Sequence, residues 1–96
     1  MTAAALIVGQ MNAPYGHVLD EQAVCNSLRN GKLSAGSEAA DAILAAMFCE
    51  MEPQLIVRCA VENRVPIAQV NRLYQETLTH GFVRCPDWEQ AVEALT

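Results

Sequence analysis

The chain is expected to fold as a small, mostly α-helical domain of about five helices, with at most one short N-terminal strand. Hydrophobic residues make up 52% of its 96 residues and aromatics only 5%, so the core must be aliphatic and rich in alanine. Such a core favours closely packed helices. Apolar residues from Ala40 to Met51 recur at helical spacing, and proline, glycine and short polar residues punctuate the chain where helices would start and stop. A chain this long makes one domain with a modest core and leaves no room for a second module.

From the N-terminus, Ala5-Leu6-Ile7-Val8 reads either as a short strand or as part of a helix, and Asn12 to Gly16 breaks the pattern with Pro14 and Gly16. Asp20 with Glu21 forms a helix start, Val24 and Leu28 continue one face, and Asn30-Gly31 supplies the stop, unless that pair turns a hairpin. Ser37 caps the next helix, with Glu38 and Asp41 near its positive end. Its apolar stripe is Ala40, Ile43, Leu44, Met47, Phe48 and Met51. The other side of the same helix is Ala39, Ala42, Ala45 and Ala46, which suits a second internal packing face or a dimer seam. Pro53 opens the following helix and Gly81 closes the one after it. Asp87 and Glu89 start a last helix with the stripe Trp88, Ala91, Val92 and Leu95.

The segment from Ile56 to Gln75, IVRCAVENRVPIAQVNRLYQ, reads as two helices joined by a tight turn. Pro66 belongs in the first helical turn, where its missing N–H costs nothing, and Asn63 is expected to adopt the left-handed conformation of the turn. Val65, Val70 and Leu73 face inward, and Ala60 is small where the second helix must cross the first. Ala68, Asn71, Arg72 and Gln75 form the outward face, and Asn, Gln and Arg are side chains that make paired hydrogen bonds to adenine or guanine edges. Over these roughly twenty residues the chain resembles the helix-turn-helix family of DNA-binding regulators. The family usually places glycine where this chain has Arg64 and an apolar residue where it has Asn63. Gly81 followed by Phe82-Val83-Arg84 looks like the helix end and first strand of a winged version, although Pro86 arrives too soon for a full hairpin. The resemblance implies double-stranded DNA as partner, Arg64, Ala68, Asn71, Arg72, Gln75 and Arg84 as the contacting residues, and a homodimer reading paired half-sites. The plain alternative is a helical hairpin inside a bundle, a shape that recurs in proteins that bind no DNA.

Charge bears on this choice. The formal net charge is −5, whereas DNA-binding domains are usually basic. From Arg58 to Cys85, four arginines (Arg58, Arg64, Arg72, Arg84) stand against Glu62 and Glu76, a local +2 that leaves −7 on the remainder. Such an acidic body suits a basic protein surface as partner. The second expectation is therefore a non-enzymatic inhibitor or adaptor encoded by a phage or other mobile element, similar in size and acidity to anti-CRISPR proteins. Its acidic face would comprise Asp20, Glu21, Glu50, Glu52, Asp87, Glu89 and Glu93.

No catalytic residue, metal site or cofactor is expected. His80 suits the negative end of a helix, and His17, after Pro-Tyr-Gly, reads as a solvated loop histidine whose nearest candidates for a reactive set are Asp20 and Cys25. Cys25, Cys49, Cys59 and Cys85 contain no C-x-x-C pair and are expected as buried free thiols, with Cys49 and Cys59 the pair that adjoining helices would bring closest. Gly31-Lys32 lacks the rest of a phosphate loop. The run from Ala3 to Val8 is too short for a membrane span or an ordinary signal peptide, so the expected location is cytoplasmic.

Overall fold

The computed structural model describes residues 1–95, which form six helices: α1 (Ala3–Tyr15), α2 (Glu21–Asn30), α3 (Glu38–Glu50), α4 (Pro53–Glu62), α5 (Ile67–Thr79) and α6 (Pro86–Leu95). No strand occurs among the described residues, so the apolar run Ala5 to Val8 resolves as helix. The cause is visible at both ends of α1. Thr2 Oγ1 accepts the N–H of Ala5, and Glu62 Oε1 accepts that of Ala3, so two otherwise unpaired N-terminal donors are satisfied. Ala3, Ala4, Ile7 and Met11 are then buried at helical spacing against α2, α3 and α4. The helix accommodates Pro14 in its last turn and stops at Gly16, whose φ is +87°. Asn12 closes the loop behind it, donating to the Leu19 carbonyl and accepting from the Leu19 N–H.

The expected caps of the next two helices form. Asp20 accepts the N–H of Ala23, Gly31 takes the left-handed conformation that ends α2, and Ser37 accepts the N–H of Ala40. The Asn30-Gly31 pair therefore ends a helix and turns no hairpin. All six residues of the α3 stripe, Ala40 to Met51, are buried. Phe48 sits at the centre, edge-on to Tyr74 and Trp88 with ring centroids 5.3 and 5.2 Å away. The alanine side divides: Ala45 is buried, whereas Ala39, Ala42 and Ala46 line an outer groove with Tyr15 and Val18. In α6 the stripe is shorter than its spacing suggests. Trp88 is fully buried, but Leu95 is 54% exposed because the helix end runs past the core.

The cysteines correct the expectation of four free thiols. Cys49, in the last turn of α3, is disulfide-bonded to Cys85, the residue before α6, and only Cys25 and Cys59 are free. Cys49 cannot pair with Cys59, because Cys59 lies near the far end of α4 with its side chain in the core. Residues 82–84 form no first strand of a wing. They are an exposed linker that the disulfide ties to α3.

Candidate nucleic-acid interface

The candidate interface is built on α4, its turn and α5. Ala60 is completely buried at the crossing, as its size requires. The turn is closed by a Schellman pair: Val65 N–H donates to the Ala60 carbonyl at 2.8 Å and Arg64 N–H to the Val61 carbonyl at 3.2 Å. The left-handed residue that this geometry needs is Arg64, with φ +57°, and Asn63 at φ −101° is not. The place where the helix-turn-helix pattern expects glycine thus has the conformation that favours glycine, although arginine occupies it. Asn63 is freed to act through its side chain. Its amide donates to the Cys59 carbonyl at 2.8 Å, and its Oδ1 accepts from the Cys25 thiol at 3.3 Å. Burial pushes the Cys59 thiol up to about 11 and also raises Cys25, so both are held as neutral thiols. Pro66 is the capping residue, one position before the helix proper.

Val70, Leu73, Tyr74 and Thr77 form the buried face of α5, and Val65 is buried before it. Its flanks are also occupied. On one side Gln69 donates to the Arg29 carbonyl at the end of α2; on the other, Asn71 Oδ1 accepts from the Trp88 indole at 3.4 Å. What remains exposed is a ridge of Ala68, Arg72 and Gln75. Asn71, expected on that ridge, is half-buried at its edge. Arg64 is exposed at the turn. Arg84 lies beyond the other end of α5, with its guanidinium 2.8 Å from Glu89.

That ion pair belongs to a small network. Tyr74 Oη accepts the N–H of Cys85 at 2.8 Å and donates to Glu89 at 2.9 Å. The Tyr74 hydroxyl, with Arg84 assisting, holds the Glu89 carboxyl below its usual range. Arg58 is likewise engaged, 2.7 Å from Glu62. Two of the four arginines that made this segment positive are therefore paired. Arg29 and Lys32, on either side of the Asn30-Gly31 helix stop, stand exposed beside α5 instead. The remaining suggestive sets do not assemble: Asp20 is used as a cap and Cys25 as a donor to Asn63. Among the described residues no cluster of His, Cys, Asp or Glu could hold a metal, and no helix is long and apolar enough to cross a membrane.

No family model, curated protein or solved structure matches this chain.

Proposed function

We propose that the protein is a small DNA-binding transcription regulator that sets α5 into the major groove. The observation that carries this reading is the exposed ridge Ala68-Arg72-Gln75 on a helix that follows a Schellman-closed turn with a left-handed residue. Arg72 and Gln75 are the two side chains on it with the donor and acceptor geometry for guanine and adenine edges, and Ala68 suits a thymine methyl group. Arg64, exposed in the turn before the helix, would contact phosphate. Two copies would read paired half-sites, as such units do when they dimerise. Binding of a duplex library at low salt, followed by recovery of the enriched sequences, tests the reading; a library that emerges unenriched contradicts it.

A second reading has its own observation. Glu50 and Glu52 flank a surface cleft of about 440 Å³ with Leu6, Gln10 and Leu55, which suits a basic protein partner. Under that reading Lys replacements at Glu50 and Glu52 abolish association with such a partner while folding survives, and salt slows the association of the unaltered protein. Association rates indifferent to both contradict it.

A further inference from the structure

Two stretches of this chain hold two cations each and no carboxylate. None falls between Glu21 and Glu38, a stretch holding Arg29 and Lys32, and none between Glu62 and Glu76, which holds Arg64 and Arg72. The fold lays these segments side by side in the same direction. Cys25 meets Asn63, Arg29 meets Gln69, and the N–H of Leu33 meets the carboxylate of Glu76 at successive levels. None of the four cations forms an ion pair among the described residues, although the chain has eleven Asp and Glu residues. These four carry +4 and everything else −9, so positive charge is concentrated along the seam of α2 and α5, where the carboxylate of Glu76 also sits.

Gly31 brings the end of α2 against the candidate groove-reading helix. Its φ is +67°, and a Cβ added there would lie 2.8 Å from Gln69 Nε2 and 3.1 Å from Arg72 Cδ. A side chain there would have to displace the Gln69 amide and the Arg72 stem, at a left-handed φ that favours glycine. Arg29 precedes this glycine by two positions and Lys32 follows it directly, and both are exposed. We infer that the Arg29–Lys32 end of α2 is a second DNA contact, seating on the phosphate backbone beside the groove that α5 enters. The inference rests on the DNA-binding reading of α5. It supplies what the neighbouring elements lack: α4 begins after Glu52 and its one arginine is paired, and residues 82–84 make no wing. The negative end of the α2 dipole opposes a phosphate, and two of its terminal carbonyls are already satisfied, Arg29 by Gln69 and Ser27 by the Gly31 N–H.

The test is fluorescence anisotropy of labelled duplexes of several sequences, at salt from about 50 to 200 mM, with the slope of log affinity against log salt as the readout. Each phosphate neutralised contributes about −0.9 to that slope, so an R29Q/K32Q double variant should bind with a slope shallower by about 2 than the unaltered protein. Its order of preference among duplex sequences should not change, because phosphate contacts carry no sequence information. Arg58→Gln removes one positive charge away from the seam and should leave the slope where it was, and circular dichroism melting confirms that each variant is folded. A double variant with the unaltered slope overturns the α2 contact alone, leaving the α5 reading in place. Absence of binding by the unaltered protein, even at the lowest salt, overturns the α5 reading and the α2 contact together.

Discussion

The indole N–H of Trp88 points at Asn71 Oδ1 from 3.4 Å, so the last helix holds a side chain that spacing alone would leave free for base contact. Replacing Asn71 with alanine removes the partner of a fully buried tryptophan. Leaving such a donor unsatisfied costs about 1–3 kcal/mol. The expected outcome for Asn71→Ala is a denaturation midpoint lowered accordingly, with the ranking of DNA sequences unchanged. An unmoved midpoint with altered sequence preference would return Asn71 to the groove.

Phe48 carries the centre of the core, touching Tyr74 of α5 and Trp88 of α6 edge-on. Phe48→Ala should destabilise by about 3–5 kcal/mol, since both rings lose their shared partner and a cavity opens between three helices. Urea denaturation measures it. A midpoint that hardly moves would show that the α3 stripe faces something other than this core.

The Cys49–Cys85 disulfide closes a loop with a sequence separation of 36 and ties the linker before α6 to α3. By chain entropy alone, opening a loop of that length destabilises by about 3–4 kcal/mol. Thermal melting with and without a dithiol reductant should show a clear drop, and Cys49→Ser without reductant should reproduce it. Thiol titration after denaturation should find two free thiols before reduction and four after. Four thiols before reduction would contradict the bond.

The parts of the fold that were legible in the sequence are those where one local signal decides. Ser37, Asp20 and Gly31 mark helix ends through their own side chain or lack of one, and the α3 stripe is long enough for its period to be unambiguous. The turn of the candidate site was harder to read, because its left-handed residue is Arg64 and the bond network that closes it is made by the backbone. Asn63, a residue type that tolerates that conformation, instead bridges Cys59 and Cys25 across helices, which no local pattern reveals. The same holds for Arg29 and Lys32. They lie over thirty positions before Arg64 in the chain, and their place beside α5 follows from the parallel packing of α2. The pairing of two cations within one acid-free stretch was present in the sequence for each pair.

Stability should fall at both extremes of pH, for separate reasons. The N–H of Ala3, and then Arg58, hold the Glu62 carboxyl below its ordinary 4.5, and the Tyr74 hydroxyl does the same for Glu89. A depressed folded value means that this stabilisation is present above the unfolded value and is lost as pH falls through the folded one, so melting temperature declines below about pH 4.5. Glu62→Gln should flatten that decline. Cys59 moves oppositely, from 9.0 to about 11 by burial, so its contribution is present below 9.0 and lost between there and about 11. Cys59→Ala should flatten the alkaline limb, after its own offset from the smaller side chain. Limbs of unaltered shape in both variants would contradict these assignments.

The account as a whole stands on Arg72, the one cation on the exposed ridge of α5. The measurement that tests it most directly is the affinity of the unaltered protein and of Arg72→Ala for the duplex sequence that the protein itself enriches from a library, set beside their affinity for an unrelated duplex. The predicted result is a loss of about 1–3 kcal/mol on the enriched sequence, a much smaller loss on the unrelated one, and an unchanged melting temperature. Equal affinity of the two proteins for the enriched sequence, or no binding of any duplex by the unaltered protein at low salt, would contradict it.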